Sequence, residues 1–294
     1  MIMLAGFTLG AGLLGCKTMP AGKVVDPINL LDYKSGFYIA IPKNADPSLV
    51  ERIINTHIPG LPDKNVNMIC DRTTKIYSGI NRSRNGTTVQ SAIEGTIPTR
   101  LIPKLLTKKN GWNIKDFKAE DALIPHTVYN ANGLDVSFPA QNVVCIGRDM
   151  GYMLNKHDLL SAIPEDTEVG NAPVDQYFSD LPRPVFEYLK GAETEIRFYA
   201  NKPQSFLTIL TGTNLDLKLI DVKGSFKVDP NRDDQYFLDI YFNFRENKFL
   251  KAGKALLSLA FGLSNSQSEV LGDSGLNITG IRISKDMLYK ILVI

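Results

Sequence analysis

The chain has almost no excess of charge of either sign, because 33 lysines and arginines stand against 31 aspartates and glutamates. A nucleic-acid-binding protein usually carries a concentrated basic surplus, so the formal net charge of +2 gives no reason to expect a nucleic-acid partner. With 44% hydrophobic residues, the chain is also too apolar for a disordered protein. Its 294 residues fit one large domain or two domains of ordinary size.

Cysteine is scarce as well, with three residues in the chain, and this excludes a small scaffold held together by disulfides. Cys16 belongs to an N-terminal motif that is described below. Cys70 and Cys145 are both predicted to lie in strands. They could form a disulfide in an exported protein or stay as two buried thiols, and the sequence gives no distance that decides between these alternatives.

The residue patterns of familiar catalytic and metal sites are missing. The chain has three histidines, His57, His126 and His157, and none of them has the spacing of a zinc motif. Neither a G-x-S-x-G nucleophile elbow nor a phosphate-binding P-loop is present. Residues 229–234 resemble the start of a calcium loop, but the glycine and the bidentate glutamate of that loop are absent, which favours a polar hairpin turn. The sequence therefore predicts no enzyme, no metal site and no cofactor.

The N-terminus has the composition of an export signal. Residues 1–15 are apolar and uncharged, and they are too few to span a bilayer as a helix, which takes about 20 residues. They end in Leu13-Leu14-Gly15-Cys16, which resembles the lipobox of bacterial lipoproteins, where the cysteine is lipidated and the preceding peptide is removed. The positive segment that opens a signal peptide is missing, since the first lysine is Lys17. The alternative is a buried apolar segment with an incidental cysteine.

Lipid attachment at Cys16 would place the protein in the bacterial cell envelope. We interpret residues 16–34 as a lipidated tether. Lys17 and Thr18 replace the aspartate that retains many lipoproteins at the inner membrane, which favours the periplasmic face of the outer membrane. No later segment has 18 uninterrupted apolar residues, so none is expected to span the membrane as a helix.

Two parts of the chain, residues 35–150 and 193–294, share one order of predicted elements. Each runs strand, helix, strand, strand, helix, strand, and the clearest strand is 235–245, where apolar and polar residues alternate. This order predicts an α+β fold with two pseudo-repeated halves, each a mostly antiparallel sheet with packed amphipathic helices. Identity between the halves is low, and coincidence is the alternative. Residues 151–192 are interpreted as a proline-containing linker, or as a clasp over both halves.

Two predicted helices, 100–109 and 248–263, are strongly amphipathic. In 248–263 the apolar face widens to roughly 200°, beyond the ~100° stripe of an ordinary surface helix. The polar residues include three lysines and no acid, as in a helix that lies in a membrane interface. The alternative is that both helices only pack on their sheets. The residues predicted to contact lipid are Leu101, Ile102, Leu105, Leu106, Phe249, Leu250, Leu256, Leu257 and Phe261. The basic residues at the edge are Lys104, Lys108, Lys248, Lys251 and Lys254.

Several segments resemble treponemal outer-membrane-associated lipoproteins. They are the lipobox cysteine, residues 76–80 (Ile-Tyr-Ser-Gly-Ile), 94–98 (Glu-Gly-Thr-Ile-Pro) and 105–112 (Leu-Leu-Thr-Lys-Lys-Asn-Gly-Trp). The resemblance covers most of the mature chain. It implies an α/β protein that conceals amphipathic helices and inserts them into the inner leaflet of the outer membrane, with a membrane-perturbing or lipid-carrying role.

Two functions of different classes follow. In the first, the lipoprotein contacts membrane lipid, or carries an apolar small molecule, through its amphipathic helices. In the second, it is a lipid-anchored periplasmic module that binds other envelope proteins and has no intrinsic affinity for lipid. Binding to lipid without the acyl anchor distinguishes the two.

Overall fold

The computed structural model describes 13 segments of the chain. They are residues 25–32, 34–57, 62–83, 86–96, 100, 102–118, 125–131, 133–148, 150–163, 168–169, 172–173, 181–262 and 267–292. The predicted signal peptide, Cys16 and Leu101 lie outside these segments. Statements about what is absent refer to the described residues.

The described strands are β1 to β14. Their bounds are Phe37–Pro42, Thr73–Ser83, Gly86–Gly95, Asn113–Phe117, His126–Ala131, Leu134–Ala140, Val143–Gly147, Glu168–Val169, Ala172–Pro173, Ile196–Ala200, Leu219–Asp229, Arg232–Phe244, Gln267–Leu271 and Gly275–Ser284. The described α-helices are α1 to α8. Their bounds are Pro47–His57, Asp63–Arg72, Ile102–Leu105, Met150–Ser161, Arg183–Lys190, Pro203–Thr211, Leu250–Ala260 and Lys285–Leu292. Short 3₁₀ helices cover Pro27–Leu30, Lys108–Asn110 and Asn247–Phe249.

Twelve strands form one antiparallel sheet in the order β13-β14-β12-β11-β10-β1-β2-β3-β7-β6-β5-β4. The α+β class is therefore as predicted. The expectation that each half has a sheet of its own is wrong, because β1 pairs with β10, with Phe37 opposite Ala200 and Ala40 opposite Arg197. Pairing satisfies the backbone groups that two separate sheets would leave exposed at these strand edges.

Apolar residues cover both faces of the sheet, because strands near its centre alternate large side chains between the faces. On β1, Phe37, Ile39 and Ile41 join one buried cluster, whereas Tyr38 and Ala40 join another. The first cluster is larger and includes apolar residues of α1, α2, α3, α6, α7 and α8. The second lies under α4, α5 and the 3₁₀ helix Pro27–Leu30. The site considered below lies on the first face.

The strand predicted at 235–245 is confirmed as β12, Arg232–Phe244. Its alternate residues Tyr236, Leu238, Ile240, Phe242 and Phe244 are all buried. Its connection to β11 passes through a tight turn in which the Asp229 carboxylate accepts a hydrogen bond from Asn231 N at 2.9 Å. The polar hairpin interpretation of residues 229–234 is thus confirmed.

Two of the predicted connecting segments contain ordered structure. Within residues 16–34, which were interpreted as a tether, the 3₁₀ helix Pro27–Leu30 is buried, with Leu30 fully enclosed. Its four residues are mostly apolar and cover the second face of the sheet. The predicted linker 151–192 contains most of α4 and the whole of α5, whose Phe186 and Leu189 are buried.

Cys70 and Cys145 are both free thiols. Cys70 lies on helix α2 rather than in a strand, because the short apolar run around it fits a helical period as well as an alternating one. It packs at the edge of the first cluster, whereas Cys145 on β7 is in the second cluster, on the other face of the sheet. The sheet separates the two sulfurs, so the structure shows the two-thiol alternative.

The two thiols should differ sharply in reactivity. Complete burial of Cys145 raises the pKa of its thiol strongly, and partial burial of Cys70 raises its pKa as well. Since the thiolate is the reactive form, we expect Cys70 to react slowly with a thiol reagent and Cys145 to react only after unfolding. Mass spectrometry of native and urea-unfolded protein measures this. Equal modification of both residues in the native protein would contradict the burial of Cys145.

Candidate functional site

Helix α7 lies on the first face of the sheet and is held there by two leucines and a glycine. Leu250 is nearly buried, and Leu257 is completely buried in the large apolar cluster. Gly253 lies between them on the same side. A Cβ atom at Gly253 would lie 2.3 Å from Cε1 of Phe244, so the missing side chain lets the helix approach this ring closely. The helix ends before Gly262, whose φ of +58° is the left-handed conformation of a helix C-terminus.

The outer surface of α7 is apolar to an unusual degree. Leu259 is 81% exposed and Leu256 is 42% exposed, and Ala252 and Ala255 are exposed around them. A single exposed leucine is ordinary, but two on one helix surface form a patch. We call Ala252, Ala255, Leu256 and Leu259 the outer patch.

Lysines surround the outer patch without a balancing acid in the helix itself. Lys251 is exposed and Lys254 is half-buried. Lys248 is exposed at the start of the helix, and its ammonium group lies 2.7 Å from a carboxylate oxygen of Glu246. An apolar patch with cationic borders is the arrangement that favours an interface with anionic headgroups.

The edge strand β13 adds a further apolar side chain to this face. Val270 is 46% exposed and pairs with Leu276, which is buried in the same cluster as Leu257. Side chains of paired residues project from the same face of an antiparallel sheet, so Val270 faces the side on which α7 lies. The edge strand therefore adds one exposed apolar side chain to the face of the sheet on which α7 lies.

Helical spacing predicted α7 but showed only in part which of its surfaces is exposed. Of the residues predicted to contact lipid, Leu256 is exposed, Phe249 and Phe261 are half-buried, and Leu250 and Leu257 lie in the core. Leu259, the most exposed leucine of the helix, is not among the predicted contact residues. In the sequence it only widens the predicted apolar face. Periodicity shows that an apolar surface exists but does not show which part of it the sheet covers.

The other predicted amphipathic helix is much shorter than expected. Among the described residues of 100–109, α3 is α-helical over four residues, and a 3₁₀ helix follows. Ile102 and Leu106 are buried and Leu105 is half-buried, so this segment shows little apolar surface. Lys104 and Lys108 are exposed. Lipid contact through this segment remains a prediction that requires it to leave the core.

A small pocket lies where β1 and β2 meet α6. Its lining is mostly apolar, with Arg82 and Lys202 among the lining residues, and its volume is about 40 Å³. That volume holds a few water molecules but not an acyl chain. The outer patch is consequently a better candidate for lipid contact in this conformation. The apolar lining residues are Phe37, Ile80, Phe206, Ile209 and Ile291.

The structure also brings together three potential metal ligands that sequence spacing did not reveal. His126 on β5 and His157 and Asp158 on α4 each offer one ligand atom, and these atoms lie within 4.8 Å of one another. No spacing motif could have shown this, because the two histidines come from different elements. A histidine followed by an aspartate in α4 was the only local signal.

The chain matches one family of known proteins in sequence and in fold. A family model described as "Outer membrane-associated lipoprotein TP0453" matches residues 22–289. Crystal form I of TP0453 is similar, with a TM-score of 0.67 and 21% identity over 92% of this chain and 97% of that one. Crystal form III has a TM-score of 0.64 and 21% identity over 92% of this chain and 98% of that one. At this identity the structural match shows a shared fold. No curated protein matches the chain.

Among the described residues, no helix combines the length and the apolar composition needed to cross a bilayer.

Proposed function

Because this chain belongs to the TP0453 family of outer membrane-associated lipoproteins, we propose that it is anchored through Cys16 and contacts the bilayer through the outer patch of α7. The observation that carries the proposal is Leu259, an 81% exposed leucine on a helix whose only charged residues are lysines. The family description names a lipoprotein and no catalytic activity. The resemblance to treponemal lipoproteins agrees with both points.

The outer patch by itself would bind lipid only weakly, and the acyl anchor would strengthen this binding by keeping the patch near the membrane. Complete burial of a leucine side chain contributes about 1.5–3 kcal/mol, and a lysine near an anionic surface contributes about 1 kcal/mol. Two partly exposed leucines and the neighbouring lysines would together contribute about 5 kcal/mol, which is reversible binding. Acyl chains at Cys16 would hold the helix beside the membrane and so raise its effective concentration there.

Deeper insertion requires a second step, in which α7 leaves the sheet. The core side of the helix carries Leu250 and Leu257, which the lipid can reach only if the contact with Phe244 is broken. Gly253 is suited to such a step, because a glycine makes a close contact without interlocking side chains. We propose that surface contact comes first and release of the helix follows.

Vesicle binding by residues 17–294, which include every described residue, tests the proposal. Wild-type protein should co-sediment with vesicles containing anionic phospholipid, and Leu256→Asp with Leu259→Asp should reduce binding at least ~10-fold, because aspartates oppose both burial and the surface charge. Both leucines are exposed, so the double variant should keep its circular dichroism spectrum and its melting temperature.

Leu159→Asp is the matched control, because Leu159 is a 56% exposed leucine on α4 and belongs to neither the outer patch nor the first face. It should bind vesicles like the wild type. Failure of the wild type to bind would overturn lipid contact. It would favour the alternative of a lipid-anchored module that binds other envelope proteins. Equal loss in the control and in the α7 variant would show that binding is not specific to the outer patch.

The predicted internal duplication is also retained as a proposal, and the strand order supports it. From the central pair outward, one half of the sheet runs β1-β2-β3-β7-β6 and the other runs β10-β11-β12-β14-β13. In both halves a helix follows the first strand and another follows the third strand. On this proposal α3 and α7 occupy corresponding places, and α7 is the copy that exposes leucines.

A further inference from the structure

We propose that His126, His157 and Asp158 bind a divalent transition-metal ion of the Zn²⁺ type, at a site on the face of the sheet opposite to α7. The inference is independent of lipid contact and rests on the geometry and chemistry of these three side chains. We call them the His–His–Asp cluster.

The cluster is assembled from two elements. His126 begins β5, and its Nε2 lies 2.6 Å from Oδ1 of Asp158. Nδ1 of His157 lies 3.4 Å from the same oxygen. The two imidazole rings meet edge to face, with their centroids 5.9 Å apart. One carboxylate oxygen therefore lies between two ring nitrogens that come from different parts of the fold.

The distances are close to those of a bound ion. Zn–N and Zn–O bonds of about 2.0–2.2 Å place the ligand atoms of a tetrahedral site roughly 3.3 Å apart. The ligand atoms of the cluster lie within 4.8 Å of one another, so a metal ion requires shifts of about 1–2 Å. Rotation of Asp158 is the main adjustment, since its Oδ1 is now closer to His126 than a shared metal would allow.

An unsatisfied oxygen of Asp158 gives a second, independent indication. Its Oδ2 is buried and has no hydrogen-bond partner within the described part of the chain. A buried carboxylate oxygen without a partner is costly, and a cation beside it removes that cost. The metal would therefore use an atom for which the described residues provide no donor.

The cluster lies in largely buried surroundings. The side chain of His157 is only 8% exposed, and that of His126 is 14% exposed. Val128, Leu154 and Leu160 belong to the apolar cluster on the same face, which limits competition from water.

The donor set indicates the class of metal. Two imidazoles and one carboxylate suit Zn²⁺ and its neighbours in the transition series, whereas Ca²⁺ and Mg²⁺ prefer oxygen ligands alone. Three protein ligands leave a fourth position, which a water molecule would fill. Asp158 is 24% exposed and gives that position a route to solvent.

Metal titration of the full chain, purified in detergent without a histidine tag and stripped by a chelator, tests the site. Isothermal titration with Zn²⁺ should show one ion per chain, and Co²⁺ should give the visible absorption of a four-coordinate nitrogen and oxygen site. His126→Gln and Asp158→Asn should each weaken binding at least ~100-fold, because each removes a direct ligand. Melting temperatures measured without metal check that both variants fold.

His57→Gln is the matched control, since it removes the one other histidine of the chain and should leave the affinity unchanged. The absence of stoichiometric binding in folded wild-type protein would overturn the proposal. Equal loss in the His57 and His126 variants would also overturn it. A cobalt–thiolate charge-transfer band would assign the metal to Cys70 or Cys145 instead, and so exclude the His–His–Asp cluster.

Discussion

Replacement of Gly253 by valine should push α7 away from the sheet and strengthen vesicle binding. A Cβ atom at this position would lie 2.3 Å from Cε1 and 2.4 Å from Cζ of the Phe244 ring, and valine adds two further carbons. Phe244 is itself almost completely buried, so the ring has little room to move. The helix must shift instead.

The size of the effect follows from the cost of overpacking. Added carbons in a packed core cost about 1–3 kcal/mol, which raises the population of the released helix about 5- to 150-fold. If lipid binds the released helix, the apparent affinity for vesicles increases by up to the same factor. The variant should lose stability and gain membrane binding together, while its circular dichroism spectrum shows that the rest of the protein stays folded.

Hydrogen exchange of the α7 amides, measured beside vesicle binding, separates the possible outcomes. Ala255→Val is the control, because it adds the two γ carbons of valine on the exposed side of the helix and should leave α7 protected from exchange. Faster exchange in Gly253→Val without a change in vesicle binding would contradict the release step. It would leave surface contact through the outer patch intact.

Replacement of Asp46 by alanine should lower the free energy of unfolding by about 3–5 kcal/mol, the usual cost of breaking a buried ion pair. Oδ2 of Asp46 accepts a hydrogen bond of 2.6 Å from the Tyr236 hydroxyl and one of 2.8 Å from Nζ of Lys285. Oδ1 accepts from the backbone N–H groups of Ser48 and Leu49, at 3.1 and 3.2 Å, and so caps α1. One carboxylate thus joins α1, β12 and α8.

The contribution of Asp46 should depend on pH in a defined direction. Burial by itself would raise the pKa of this carboxyl, but hydrogen bonds from Lys285, Ser48 and Tyr236 outweigh burial and hold the pKa below its usual value of 3.8. A group with a lowered folded-state pKa stabilises the protein above its unfolded-state pKa. This stabilisation is lost as the pH falls through the folded-state pKa. The free energy of unfolding of the wild type should therefore exceed that of Asp46→Asn at neutral pH, and this difference should disappear only below about pH 4.

Urea unfolding between pH 3 and pH 7 measures both effects. Asp286→Ala is the control, because Asp286, which follows Lys285 on α8, makes an exposed ion pair of 2.6 Å with Arg52 of α1. Exposed pairs contribute about 0–1 kcal/mol, so this variant should be nearly as stable as the wild type. Similar losses of stability in the Asp46→Ala and Asp286→Ala variants would show that burial does not determine how much these ion pairs contribute.

Local patterns were enough to predict several elements of the fold. Alternation placed β12 within a few residues, and helical spacing found α7. The sequence predicts a strand around Cys70, yet Cys70 belongs to α2 and strand β2 begins only at Thr73. A short run such as Met68-Ile69-Cys70 fits both periods, so the sequence alone does not decide between helix and strand.

The candidate sites depended on tertiary contacts that no local pattern contains. Which leucines of α7 face solvent depends on where Gly253 meets Phe244, a contact between separate elements. The His–His–Asp cluster depends on the packing of α4 beside β5. Most of α4 lies in the segment that was interpreted as a linker. Both features arise from packing between segments that are predicted separately, so spacing within either segment could not reveal them.

The central pairing of β1 with β10 has a consequence for how the chain acquires its fold. Synthesis runs from the N-terminus, so Phe37 leaves the ribosome long before Ala200, its partner across the two strands. Until β10 arrives, β1 has a free edge that can pair with another chain, and long-range pairing of this kind is slow. The nascent half-sheet is thus a target for aggregation and for any chaperone that escorts the protein. Substitutions in β10 should affect yield more than they affect the activity of the finished molecule.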